Sequence, residues 1–375
     1  MSNTSGASKL PFDLTPSEEQ QMMRESMQRF AAAELLPAAR DADAESKIPD
    51  GLLDAAHELG ITLLAVPEQY GGAGTERSPI ANSLIAEDLG QGDMALALAI
   101  LSPLGVLNTI LDQGSEAQRE HYLPRFADEK FLPAATAVME STALFDPSNL
   151  QTTAKADGDG WVLNGEKRMV PLSSHRPLLL VLAKVEGEDS PAAFIVEGDN
   201  PGVNFEAEPL MGLRGMEPGQ VTLKDCRVEG SARLGGDDGF DARRFLNLSK
   251  LGLGATACGV AAGLLEHAIE YTNERVAFGE PISHRQSVAF MVANIGIELE
   301  GMRLMVQRAA SRAEQGLDFE REATLAARFC GDHGMEIGTN AVQLLGGHGF
   351  TQEYLEEMCY RHLRAVGILE GCFSI

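Results

Sequence analysis

The sequence predicts an α+β fold, mostly α-helical, in three parts. These are an all-α N-terminal domain over residues 1–130, a β-rich middle domain over 131–238 and a C-terminal four-helix bundle over 239–375. Three observations predict it. Apolar residues recur at helical spacing up to about residue 130. Short apolar runs separated by turn residues then take over. From about Asp241 the helical period returns and stays, in long stretches joined by short loops.

The elements follow in order. Thr15-Pro16-Ser17-Glu18 is a helix start signal, with Thr15 as N-cap, Pro16 at the first helical position and Glu18 three residues after the cap. Met22, Met23, Met27 and Phe30 continue at helical spacing. A second helix runs through Leu52, Leu53, Ala56 and Leu59 and ends near Gly60. Further helical runs span 80–89, 94–113 and 117–127. In the middle third, Trp161-Val162-Leu163 precedes Asn164-Gly165, a hairpin signal. Apolar runs at 178–182, 192–196 and 221–228 supply more strands, and a Gly/Asp linker covers 231–238. Helices are predicted over 241–274, 284–315, 319–345 and 352–364.

Composition excludes several classes of partner. Of the 375 residues, 44% are hydrophobic, enough for a sizeable core. The 55 acidic residues outnumber the 30 basic ones, giving a net charge of −25. Nucleic-acid and anionic-membrane binding rely on Lys and Arg, so neither is expected. Small anionic ligands remain possible where cations cluster, and Arg275, Arg214, Arg243, Arg244 and Lys250 are the candidates. The five Cys show no paired spacing, which fits reduced thiols. Met1–Leu10 is polar and no long uninterrupted apolar stretch occurs, so a cytoplasmic protein without a membrane span is expected.

Generic motifs say little. Gly252-Leu253-Gly254 with Gly259 sits in a helical run without a preceding strand, so close helix packing explains it better than a dinucleotide loop. His333 and Glu336 lie one helical turn apart, but a lone pair is not a metal site, and no metal is expected. No G-x-S-x-G elbow is present.

Four strings are more specific. They are Val66-Pro67-Glu68-Gln69-Tyr70-Gly71-Gly72-Ala73-Gly74, Met211-Gly212-Leu213-Arg214-Gly215, Arg275-Val276-Ala277-Phe278-Gly279-Glu280-Pro281-Ile282, and Gln343-Leu344-Leu345-Gly346-Gly347-His348-Gly349-Phe350. Arg361 and Ile368-Leu369-Glu370-Gly371 follow the last. Together, in this order, they resemble the acyl-CoA dehydrogenase family from Phe12 to Gly371. The resemblance implies a middle β-barrel or sandwich between the two helical domains. It implies FAD-dependent α,β-dehydrogenation of an acyl-CoA thioester, as in fatty-acid β-oxidation. An electron-transfer flavoprotein would accept the electrons, and a homodimer or homotetramer would share FAD across subunits.

The site residues follow from the same resemblance. Glu370 would take the α-proton, and its apolar neighbours Ile368 and Leu369 suit a desolvated carboxylate of raised pKa. Its backbone N–H would polarise the thioester carbonyl. Arg275 would fork onto the FAD diphosphate beside Phe278 and Gln286. Gln343, Gly346 and Gly347 would lie against the partner subunit's FAD. Met139, Met169 and Cys372 stand at further FAD-contacting positions, and Lys250, Arg244, Phe145 and Gly371 at acyl-CoA positions.

Departures cluster at the flavin ring. The family's Thr-Glu-Pro-x-Ala-Gly-Ser-Asp segment aligns with Met139-Glu140-Ser141-Thr142-Ala143-Leu144-Phe145-Asp146. A Met thioether thus replaces a hydroxyl, and Met169 replaces an aromatic residue. Lys250 stands where the family commonly has Arg, and Ser249 is not a carboxylate, so Glu370 has no rival base on that helix. Two alternatives on this fold stay open: a flavin oxidase or monooxygenase, and a non-catalytic or acyl-CoA-binding paralogue.

Overall fold

Ser17, not Thr15, caps the first helix. A computed structural model describes residues 15–236, 239–371 and 373–375. In it the Ser17 hydroxyl accepts from the Gln20 N–H while the Gln20 side chain returns to the Ser17 N–H, a reciprocal capping box. Helix α1 therefore runs Glu18–Phe30. A π-turn, Ala31–Leu35, joins it to α2, Leu36–Glu45. Short helices α3 (Leu52–Glu58) and α4 (Ile61–Ala65) lead to α5 (Pro79–Gly92), α6 (Met94–Gln113) and α7 (Glu116–Phe126). The predicted helices are present, with ends shifted by a few residues.

The middle domain is a single seven-stranded sheet. Its strands are β1 (Ala134–Ala137), β2 (Thr153–Asp157), β3 (Gly160–Val170), β4 (Leu178–Val185), β5 (Ala192–Val196), β6 (Val203–Ala207) and β7 (Gly219–Glu229). The order is β1-β4-β2-β3-β7-β6, with β5 on β4. Strand β4 pairs in parallel with β1 and β2 and antiparallel with β5. Its even residues Leu178, Leu180 and Leu182 face the large core shared with the helices. Its odd residues Leu179, Val181 and Ala183 face a second core inside the middle domain. Burial on both faces explains its unbroken apolar run.

One turn assignment is corrected. Asn164-Gly165 is no hairpin tip, because the β2–β3 hairpin turns at Gly158 (φ +66°). Gly165 lies inside β3 at a bulge against β7. A Cβ there would meet Thr152 Oγ1 at 2.4 Å, so the glycine serves a close approach.

Four long or medium helices complete the chain: α8 (Ala242–Glu274), α9 (Gln286–Glu314), α10 (Glu320–Leu345) and α11 (Glu356–Ala365). A small hairpin, β8 (Val276–Ala277) with β9 (Glu280–Pro281), links α8 to α9. The glycines of α8 do serve packing: a Cβ on Gly259 would meet the Glu87 carbonyl at 2.0 Å, where α5 crosses α8. Helices α6 and α8 are apolar and long enough to cross a membrane, yet 94% and 83% of their most apolar windows are buried inside the fold. They are core helices.

Candidate active site

Glu370 sits just beyond α11. The Ile368 and Leu369 N–H groups both bond back to the Ala365 carbonyl at 2.9 Å, turning the chain inward. Gly371 then takes φ +64°, and a Cβ there would meet Val138 Cγ2 at 2.6 Å. Only glycine fits that approach. Thr136 donates to the Gly371 carbonyl, tying the turn to β1. The Glu370 N–H donates to Met139 Sδ at 3.4 Å. Sulfur is a weak acceptor, so this donor is held lightly.

The carboxylate itself is strongly placed. Burial pushes the Glu370 pKa above the usual carboxylate range, and Lys250 pulls it partly back. Its Oε2 is buried and has no hydrogen-bond partner among the described residues. Glu370 and Gly371 line a cleft of about 620 Å³ with α8 residues Ser249, Lys250 and Leu253 and one face of α10. Lys250 Nζ bonds Asn247 Oδ1 at 3.1 Å. Arg328 and Arg364 add two cations against Asp332, so the cleft carries about +1 on a chain of −25. That local excess suits an anionic ligand.

The sequence reading missed Ser249, Arg328 and Arg364 as lining residues. Ser249 is buried and its hydroxyl has no hydrogen-bond partner among the described residues. Arg328 and Asp332 pair at 2.8 Å four residues apart on α10, a spacing legible in the sequence. Arg244 and Phe145 are not brought into this cleft. Arg244 lies in the first turn of α8 with its guanidinium over the Phe319 ring at 5.6 Å. Phe145 is half-buried and packs on the large core. Arg214 and Arg243 are not free cations either, since they pair with Asp43 and Glu320.

The middle domain supports the cleft through a buried ion pair. Lys167 Nζ lies 2.8 Å from Glu140 Oε1 and donates to the Val138 carbonyl at 3.0 Å. Glu140 also accepts the N–H groups of Gln151 and Thr152. Burial lowers the Lys167 pKa to about 8, while Lys167 keeps Glu140 below the carboxylate range against its own burial. This network fixes Met139, which is 8% exposed. Met169 stands at φ +55° with its N–H bonded to Glu208 Oε2 at 2.8 Å. Met139, just past β1, and Met169, in β3, are brought together by the Arg168 N–H bond to the Met139 carbonyl at 2.9 Å. Flexible, polarisable side chains there can pack on a flat ring.

A second group of predicted residues stands in solvent. Arg275, Phe278, Gln286, Gln343, Gly346 and Gly347 are all exposed. Phe278 is 97% exposed at φ +57°, with Arg285 over its ring at 5.9 Å. Tyr271 bridges the two halves of the group: it lies one helical turn before Arg275 and its hydroxyl reaches the Leu345 carbonyl and His348. Cys372 lies outside the described residues. Glu298, from α9, and Glu336 place carboxylate oxygens 3.9 and 3.7 Å from His333 Nδ1 in a partly exposed cluster.

Comparison with known proteins agrees along the whole chain. Residues 17–130 match the acyl-CoA dehydrogenase N-terminal domain, 135–226 the middle domain and 237–375 the C-terminal domain. The probable acyl-CoA dehydrogenase FadE25 of Mycobacterium tuberculosis (strain ATCC 25618 / H37Rv) is 34% identical over 368 residues, spanning 96% of this chain and 93% of the relative. Cyclohex-1-ene-1-carbonyl-CoA dehydrogenase of Syntrophus aciditrophicus is 32% identical, spanning 96% and 88%. The structure of butyryl-CoA dehydrogenase from Megasphaera elsdenii superposes with a TM-score of 0.88 at 28% identity, covering 95% of each chain. The FAD complex of PigA superposes at 0.87 with 27% identity, covering 96% and 95%.

Proposed function

The chain belongs to the acyl-CoA dehydrogenase family, and on that premise we propose that Glu370 is the base of its reaction, removing the α-proton of an acyl-CoA thioester to give the trans-2-enoyl-CoA. The enzyme is an oxidoreductase with FAD as its cofactor. FAD supplies the hydride acceptor when bound. The residues present fit it: Met139 and Met169 offer soft apolar contact for a ring, and Arg275, Gln286, Gln343, Gly346 and Gly347 offer donors and bare backbone for a diphosphate.

One observation carries the base assignment. Glu370 presents a buried, unpartnered carboxylate oxygen in a positively charged cleft. Burial raises its basicity, and Lys250 keeps enough anion present for proton abstraction. The thioester oxygen takes the Glu370 N–H from Met139 Sδ, a weak acceptor giving way to a strong one. Lys250, Arg328 and Arg364 hold the anionic portion of CoA.

Exposure of the diphosphate-side residues in one protomer supports a shared site. On that ground we propose a homodimer or homotetramer; an electron-transfer flavoprotein as electron acceptor and a cytoplasmic setting complete the proposal. Purified protein reconstituted with FAD is expected to show flavin absorbance and to bleach anaerobically with one member of an acyl-CoA panel. Flavin absorbance that no acyl-CoA bleaches would instead favour a binding paralogue. Bleaching followed by rapid reoxidation in air would favour an oxidase.

A further inference from the structure

We propose that Tyr271, with a three-ring stack formed by His348, Tyr354 and His267, holds the Gly346–Gly349 loop in the shape that receives the FAD diphosphate. These four side chains are positioning residues. The inference rests on the flavin reading above.

The loop needs such a device. Gly346 takes φ +58° and ψ −126°, a conformation open to glycine alone. Among the described residues a Cβ on Gly346 or Gly347 would meet nothing within 4 Å, so no side chain packs over them, and the loop is shaped from within by turn bonds from the Gly349 N–H to the Gly346 carbonyl at 3.2 Å and from the Phe350 N–H to the Gly347 carbonyl at 3.3 Å. These long turn bonds leave backbone freedom that ligand binding would remove, and that loss weakens binding unless the loop is held beforehand.

Tyr271 removes the freedom from one side. Its hydroxyl donates to the Leu345 carbonyl at 3.4 Å, at the end of α10. The same hydroxyl lies 2.8 Å from His348 Nδ1, as donor or acceptor according to the imidazole tautomer. The His348 ring stacks on Tyr354 at 5.2 Å and 17°, and Tyr354 stacks on His267 at 6.0 Å and 24°. The Tyr271 ring meets all three edge-on, at 6.0, 5.9 and 6.4 Å. Behind the stack, His267 Nδ1 bonds Glu356 Oε1. Glu356 is fully buried and its Oε2 has no hydrogen-bond partner among the described residues.

The stack therefore joins α8, the loop after α10 and the start of α11. Tyr271 also lies one turn before Arg275 on α8. The same residue thus fixes the spacing between the arginine and the glycine loop, which the two halves of a diphosphate would have to match.

Charge adds a pH dependence. His267 faces Glu356 and Glu270, and Tyr271 faces Arg275, Tyr354 and Glu356. The Glu356 hydrogen bond raises the His267 pKa against its burial. A raised folded-state pKa contributes fully below the unfolded value and is lost as pH rises through the folded one. Above it, Glu356 stands buried beside a neutral ring, and the stack loosens.

The test uses the full chain and two readouts. In the FAD-free protein, amide hydrogen exchange over residues 346–350 is expected to quicken about tenfold in Tyr271→Phe, with helicity by circular dichroism unchanged. The FAD dissociation constant, read from flavin fluorescence, is expected to rise about tenfold in the same variant. As pH rises above the ordinary histidine range wild-type affinity should fall, and His267→Gln should flatten that fall. Unchanged loop exchange in Tyr271→Phe overturns the assignment, as does a pH profile that His267→Gln leaves unaltered. A wild-type chain that takes up no FAD overturns the flavin reading and this assignment with it. FAD uptake with unchanged Tyr271→Phe exchange overturns the assignment alone.

Discussion

The Glu370 carboxylate is backed by buried residues of its own chain, whereas Arg275 and Gly346 stand in solvent. The first region is closed by Val138, Thr136 and the Lys167–Glu140 pair beneath it. The second offers an exposed guanidinium, a 97% exposed phenyl ring and bare glycine backbone. The contrast separates two jobs. Proton abstraction needs a desolvated base, which a single chain builds by burial. Holding a diphosphate needs donors at a rim, where a second subunit can close over the ligand. It also localises the departures from the family. They fall at Met139, which is buried, and at Met169 and Phe145, which are half-buried, and not among the exposed residues.

The largest effect should come from breaking the buried side. Lys167→Met leaves Glu140 charged and unpaired, and is expected to cost about 3–5 kcal/mol, read as a large fall in Tm. The double variant Lys167→Met with Glu140→Met should recover most of it. Recovery would show that the loss is the stranded carboxylate, while no loss at all would deny the pair its supporting role.

A smaller and cleaner effect is expected on the exposed side. Arg275→Ala should weaken FAD binding about ten- to a hundredfold while leaving the Tm of FAD-free protein unchanged, because the side chain is solvent-exposed. A fall in that Tm would place Arg275 in the fold rather than in the site.

The smallest effect links the cleft to its charge. Lys250 lowers the Glu370 pKa that burial raises. Lys250→Met removes the lowering, so the acid limb of the pH profile of kcat/KM should move to higher pH. A limb that stays in place would mean that another group sets it.

Much of the architecture was legible because helical periodicity survives burial on one or all faces. The α8–α11 bundle was readable down to ends within a few residues. Strand β1 was not, since Ala134-Ala135-Thr136-Ala137 has small residues and weak strand preference, and gains its place by pairing with β4. Gly165 misled because a turn signal is local, whereas its reason is Thr152 across the sheet. The site divides likewise. Glu370 and Arg275 were found through a family pattern of short strings. Arg328 and Arg364 reach the cleft only by tertiary packing of α10 beside α11, which no local string encodes. Arg214 looked like a cofactor ligand as a lone cation, and Asp43, far away in sequence, claims it.

The base assignment is tested most directly by Glu370→Gln, a nearly isosteric change that removes the proton acceptor and keeps the backbone N–H. Reconstituted with FAD and mixed anaerobically with the acyl-CoA that bleaches the wild type, this variant should retain its flavin absorbance and bleach at least ~10³-fold more slowly. Bleaching at the wild-type rate with FAD equally retained would contradict the account, because the proton would then leave to another group.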